Sequence, residues 1–228
     1  MESIERITDA IDNHQYAIGI FIDLRKAFDT INHNIFINKL EKISIRGMAI
    51  DWIKSYLDRR KQFVKLGNHS SNCFDIACGV PQGSVLGPKL FILYINDICQ
   101  VSKLLYMVLF ADDTNVFCSG DDLDTLQKNI NEELYKLKLW FDWNKLSLNV
   151  SKTKFMFFGR FRLNTQLKIE IDGVAIEQVH KIKFLGVTID DKLSWKPHIT
   201  HVKYKVARSI AVINKAKQVL DHKSLHTL

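Results

Sequence analysis

The chain has 228 residues, 46% of them hydrophobic and 25% charged. Those proportions exclude a disordered segment and suit one large domain or one and a half ordinary ones. The formal net charge is +7, and all of it resides in residues 192–228, where eight Lys and Arg face Asp221 alone. A neutral body with a basic end predicts a polyanion partner, or else a lysine-rich helix that is simply solvated. No apolar run approaches the roughly 20 residues of a membrane span. The mixed-charge start MESIERITDAIDNHQ is not a secretory signal. An intracellular protein, nuclear or cytoplasmic and away from membranes, is expected. Cys73, Cys78, Cys99 and Cys118 form no CxxC pair and read as reduced thiols. His198 and His201 have no second ligand pair of matching spacing and read as surface residues.

Along the chain, Ile4, Ile7 and Ile11 recur at helical spacing and predict a helix over 3–13. AIGIFIDL (17–24) is short, β-branched and apolar, and reads as a buried strand ending in Asp23. Residues 33–62 read as largely helical, with Trp52, Tyr56 and Leu57 as packing residues. KQFVKLG (61–67) and CFDIACG (73–79) alternate and predict a hairpin. GVPQGSVLGP (79–88) reads as a loop that exposes backbone N–H groups and admits close approach of a ligand. Ser84 stands where it can cap the next helix, KLFILYINDI, which is apolar on nearly every side and so predicted to be buried. LLYMVLFADDTNVFCSG (104–120) reads as strand, turn, strand, with Asp112 and Asp113 at the turn. Leu123, Leu126, Ile130, Leu134, Leu137 and Phe141 mark an amphipathic helix, and KFMFFG (154–159) a strand. KIKFLGVTID (181–190) reads as a tight hairpin around Gly186. Ile199, Val202, Val206, Ile210, Ile213 and Leu220 form the stripe of a last helix, with Lys205, Arg208 and Lys215 opposite. Strands and helices do not simply alternate, which predicts an α+β fold with an antiparallel sheet.

Two adjacent carboxylates between apolar strands need an explanation. At a turn both escape the core, and aspartate tolerates the backbone there. Adjacent acids in a turn are often just solvated; the alternative is a divalent cation, for which oxygen ligands suit Mg²⁺. Asp23 also ends a buried strand, 89 residues before Asp112. If the two strands are neighbours, three carboxylates converge at one end of a sheet. Such a set can hold two Mg²⁺ ions roughly 3.5–4 Å apart, the arrangement used for in-line displacement at phosphate.

FIDLRKAFDTINH, GVPQGSVLGPKLFILYINDI, LFADDTNVF, LSLNVSKTKFMFFG and KFLGVTID occur in that order. Together they resemble the successive motifs of a reverse transcriptase, of the type carried by LINE (non-long-terminal-repeat, jockey-like) retrotransposons. Group II intron enzymes share the architecture but usually carry PQGG where this chain has PQGS. The resemblance implies an RNA-directed DNA polymerase that joins dNTPs to a primer 3′-OH. Its expected partners are an RNA template, a DNA primer and the RNA–DNA duplex they form. It implies a palm over 1–190, with a partial fingers segment at 33–78, and the beginning of a basic helical thumb over 191–228.

By the same resemblance Asp23, Asp112 and Asp113 hold two Mg²⁺, with Mn²⁺ as a substitute. Phe28 matches the steric gate that excludes a ribose 2′-OH; the lesser alternative is that it packs with Leu24 and Ile31 as core. Gln82 lines the nucleotide pocket and Gly83 leaves room beside the nascent base pair, with Leu24, Arg25 and Ala111 near the nucleotide. Lys152 matches the basic residue that assists pyrophosphate departure; Lys154 is the alternative, and either could be merely exposed. Phe184, Leu185 and Gly186 match the primer grip. Lys203, Lys205, Arg208 and Lys215 would follow the duplex backbone. Only 22 residues precede Asp23, too few for the N-terminal fingers that bring cations to the triphosphate, so a fragment is expected; Arg25 and Lys26 are candidate substitutes. The competing readings are a nucleic-acid-binding remnant without catalysis, and a structural protein whose acids form a simple cation site.

Overall fold

The computed structural model describes residues 2–159, 167–217 and 219, and the chain divides into two compact units, 1–178 and 179–228. The first unit runs α1 (Glu2–Asp12), β1 (Tyr16–Ile22), β2 (Leu24–Arg25), a 3-10 turn (Ala27–Asp29), α2 (His33–Lys42) and α3 (Met48–Leu57). Four short strands follow: β3 (Lys61–Gln62), β4 (Lys65–Leu66), β5 (His69–Ser70) and β6 (Phe74–Asp75). Then come α4 (Gly87–Ile95), a second 3-10 segment (Asn96–Gln100), β7 (Tyr106–Phe110), β8 (Asp113–Gly120) and α5 (Leu123–Trp143). The unit closes with β9 (Ser147–Leu148), β10 (Lys154–Phe158), β11 (Glu170–Ile171), β12 (Val174–Ala175) and β13 (Glu177–Gln178). The second unit holds β14 (Lys181–Phe184), β15 (Val187–Asp190) and α6 (Lys196–Ala216).

The fold is α+β. Its main sheet has the order β13-β10-β1-β8-β7, antiparallel except for the β10–β13 pair. β1 lies at the centre because its residues can be buried on both faces: Ala17 to Ile22 are all buried. Gly19 makes the centre possible. A methyl group there would lie 2.9 Å from the Phe117 ring and 3.1 Å from that of Phe158, so the two rings from the flanking strands occupy its place. α5 buries Leu126, Ile130, Leu134, Leu137, Trp140 and Phe141, and Asp122 caps it by accepting from the Thr125 N–H at 2.8 Å.

The stretch 33–62 is largely helical as expected, in two helices with Gly47 at φ 62° turning the chain between them, and β3 begins at Lys61. Two expectations are corrected in detail. Leu57 is buried as expected, but Trp52 is 55% exposed and stacks on Tyr56 instead of entering the core. α4 buries Leu90, Phe91, Tyr94 and Ile95 yet leaves Ile92 half exposed, so it is not enclosed on every side. The Ser84 hydroxyl does accept from the Gly87 N–H, at 2.9 Å. The hairpin over 61–79 forms through Lys61–Asp75 and Gln62–Phe74, with β4 and β5 nested inside it. Leu220, the last member of the terminal stripe, lies outside the described residues. All four cysteines are free thiols. Among the described residues no helix is long and apolar enough to cross a membrane.

Candidate functional site

The β7–β8 hairpin closes in two residues. Phe110 pairs with Asp113, leaving Ala111 and Asp112 at the tip, with Ala111 in the left-handed region at φ 52°. Asp112 and Asp113 are exposed, whereas Thr114 to Phe117 are buried. β8 runs beside β1 in a register that pairs Ile22 with Thr114. One step further along that register sets Asp23 opposite Asp113, and residues facing each other in an antiparallel ladder have Cα atoms about 4.5–5.5 Å apart. The electrostatics agree with the topology. Although Asp113 is exposed as a whole, its carboxyl is pushed above the usual carboxylate range, first by partial desolvation and then by the negative charges of Asp112 and Asp23.

The three carboxylates therefore share one end of the sheet. They do not form a ready-made cage: among the described residues no three His, Cys, Asp or Glu side chains gather around a common cation position. Their chemistry still fits Mg²⁺, which takes hard oxygen donors, needs only one or two protein carboxylates and keeps several of its waters.

Asp23 is held from behind by residues the sequence did not single out. β2 pairs with β9 through Leu24–Leu148 and Arg25–Ser147, which brings the following loop, NVSKT (149–153), against Asp23. The Asn149 N–H donates to the Asp23 carbonyl at 2.8 Å. The Asp23 N–H donates to Thr153 Oγ1 at 3.3 Å, and Asn149 Nδ2 donates to Asp23 Oδ2 at 3.4 Å. The available signal was a polar Thr153 at the head of the apolar strand KFMFF; it is fully buried. In the same loop Lys152 is exposed. Lys154 is committed elsewhere, to the Glu177 carboxylate and the Ser151 carbonyl.

A second cluster adjoins β2. Lys26 adopts φ 49° and starts the 3-10 turn that carries Phe28. Phe28 is half-buried, with its ring 4.9 Å from that of Phe91 at an interplanar angle of 46°. The GVPQG loop is sewn onto this turn by main-chain bonds from Val80 N–H to Phe28 O (2.8 Å) and from Gly79 N–H to Ile31 O (2.7 Å). Gly79 has φ 85°, and a methyl there would lie 2.7 Å from the Asp29 carbonyl oxygen. Gln82 donates to Asp29 Oδ1 at 2.8 Å. Gly83, at φ 79°, faces open space: nothing lies within 4 Å of its missing Cβ. Leu24 is buried, Arg25 exposed and Ala111 half-buried.

In the second unit, β14 and β15 form a hairpin whose turn is Leu185 (φ 47°) and Gly186 (φ 85°), both positive as the tightest hairpin turns require. Phe184 is buried and Leu185 41% exposed. Asp190 accepts from the Ser194 and Trp195 N–H groups ahead of α6. No residue of α6 is buried; Lys203, Lys205, Arg208 and Lys215 are exposed, and its sequence contains no acid. His201 is exposed, while His198 is half-buried and its Nδ1 accepts from the Thr188 N–H at 3.3 Å.

Residues 1–189 match the family described as reverse transcriptase (RNA-dependent DNA polymerase). Curated relatives include the probable RNA-directed DNA polymerase from transposon X-element of Drosophila melanogaster, 32% identical over 91% of this chain and 23% of the relative. The polymerase from transposon BS of the same fly is 30% identical over all of this chain and 26% of its own length. That from its mobile element jockey is 28% identical, over 89% and 23%. The chain thus spans about a quarter of the length of these relatives. Among solved structures, the apo telomerase of Candida tropicalis, truncated from its C-terminal domain, superposes with a TM-score of 0.57 at 16% identity, over 86% of this chain and 39% of that one. The telomerase of Candida albicans, solved with a fragment of telomeric RNA, gives 0.56 at 13%, over 85% and 33%. These two likenesses concern the fold. The chain belongs to the reverse transcriptase (RNA-dependent DNA polymerase) family, in the branch of LINE-type retrotransposons that its motifs resemble.

Proposed function

We propose that the chain is the catalytic palm of an RNA-directed DNA polymerase, extending a DNA primer on an RNA template with dNTPs. The observation that carries this reading is the β1–β8 register, whose last pair, Ile22–Thr114, adjoins both Asp23 and Asp113, two residues 90 positions apart in sequence, with the Asp113 carboxyl feeling both neighbouring charges. Asp23, Asp112 and Asp113 would hold two Mg²⁺, or Mn²⁺ in their place. When bound, such ions lower the pKa of an attacking hydroxyl and neutralise charge on the leaving pyrophosphate.

The residues of the chain supply the rest. Phe28, half-buried and braced by Phe91, would exclude a ribose 2′-OH with the part of its ring that stays accessible. Gln82 is held by Asp29, and the open side of Gly83 leaves space for a base pair. Arg25, Lys26 and Lys152, all exposed, are cations available to phosphate oxygens; the ion pair of Lys154 favours Lys152 for the departing pyrophosphate. The Phe184–Gly186 hairpin would hold the primer end, and Lys203, Lys205, Arg208 and Lys215 would follow the duplex phosphates without reading sequence. On this reading residues 1–190 are palm, 33–78 belong to the fingers, and the thumb begins after 190.

Primer extension on an RNA template with Mg²⁺ or Mn²⁺ tests the proposal. Asp112→Asn is expected to abolish incorporation while leaving duplex binding intact. Undiminished synthesis by that variant refutes the metal assignment. Duplex binding by the wild-type chain with no incorporation under either metal would instead assign a binding remnant.

A further inference from the structure

We infer that Asn149 is the positioning residue for Asp23, fixing which of its carboxylate oxygens is left for a cation. The inference rests on the metal-site reading above. Asp23 Oδ2 can only accept, so the amide atom that faces it at 3.4 Å is Nδ2. The other end of the amide, Oδ1, accepts from the Ser151 hydroxyl at 2.9 Å. Ser151 therefore sets the sense of the amide: with its hydroxyl donating to Oδ1, the –NH₂ end is turned to Asp23. A flipped amide would set its oxygen against a carboxylate oxygen and its –NH₂ against the hydroxyl, losing the first bond outright.

The main chain removes the remaining freedom. The Asp23 carbonyl accepts from Asn149 N–H, and the Asp23 N–H is taken by Thr153 Oγ1, whose hydroxyl donates in turn to the Asn149 carbonyl at 3.1 Å. Asp23 lies just beyond the last ladder pair of β1, where strand ends fray, so these bonds replace the pairing that the sheet no longer supplies. With Oδ2 engaged by the amide, Oδ1 is the oxygen more open to metal. The amide is uncharged, so it orients Asp23 without competing as a cation or neutralising the charge that a cation needs. Partners of this kind, one shell behind a ligand, typically govern about 10- to 100-fold in metal affinity.

The test is Mn²⁺ binding to the full chain, read by water-proton relaxation, which needs no turnover. Asp23→Asn is the reference for loss of the ligand. Asn149→Ala is expected to weaken Mn²⁺ about tenfold. Ser151→Ala should weaken it in the same direction by less, and the double variant should bind no more weakly than Asn149→Ala alone, because Ser151 acts only through Asn149. Val174→Ala, at an exposed position of β12 that takes no part in these bonds, should leave affinity unchanged. If Asn149→Ala does not fold, the exposed Ser151 carries the test. Wild-type affinity in the Asn149 and Ser151 variants alongside loss in Asp23→Asn overturns the inference and spares the metal reading. Wild-type affinity in Asp23→Asn overturns both.

Discussion

α5 and α6 are both 21 residues long and both carry an apolar stripe at helical spacing, yet α5 buries seven residues and α6 none. On α5 the stripe faces the core, and its start is capped by the Asp122 carboxylate, whose pKa is held below the usual range by its bonds to Thr125. On α6 the stripe of Ile199, Val202, Val206, Ile210 and Ile213 remains 41–62% exposed, and Trp195 offers no side-chain cap. Periodicity reports that a helix has two faces; it does not report whether the apolar face has a partner in the same compact unit. Charge separates the two cases better. α5 mixes acids and bases, as a solvated outer face does, whereas α6 carries bases alone.

Substitutions can break this comparison or sharpen it. The largest effect is expected from Phe141→Ala on α5: the ring is fully buried, and truncation should cost about 3–5 kcal/mol in chemical denaturation. Next comes the basic face of α6. Neutralising Lys205, Arg208 and Lys215 together should lower the slope of log affinity against log salt for an RNA–DNA duplex by about 3, one per phosphate contact, with the melting temperature unmoved. An unchanged slope removes α6 from the nucleic-acid interface. The smallest effect is expected from Val206→Ala, within about 0.5 kcal/mol of wild type, as for exposed positions generally. A cost comparable with that of Phe141→Ala would mean that the stripe is covered in solution.

What the sequence disclosed, and what it withheld, follows the same division. β1, the β7–β8 hairpin and α5 were legible because each repeats one physical rule over five or more residues: continuous burial, strand–turn–strand, or the 3.6-residue period. The placement of Asp23, Asp112 and Asp113 at strand ends was legible because charge at the end of an apolar strand is costly and therefore conspicuous. The break at Gly47 and the exposure of Trp52 and Ile92 were not, since each depends on how much neighbouring surface exists to cover them. Strands of two residues, such as β13 beside β10, carry no pattern at all. Least visible was Asn149, because a hydrogen bond spanning 126 positions leaves no local trace.

That last span has a consequence for biosynthesis. Asp23 is made early, but the groups that secure its backbone and carboxylate are added only as residues 149–153 leave the ribosome. Until then the first acidic residue of the site sits on an untethered strand end, while loop closure over so long a stretch must wait for β10 to dock beside β1. Nascent chains stalled before Thr153 should therefore leave Asp23 without its full set of backbone bonds until most of this unit has been translated.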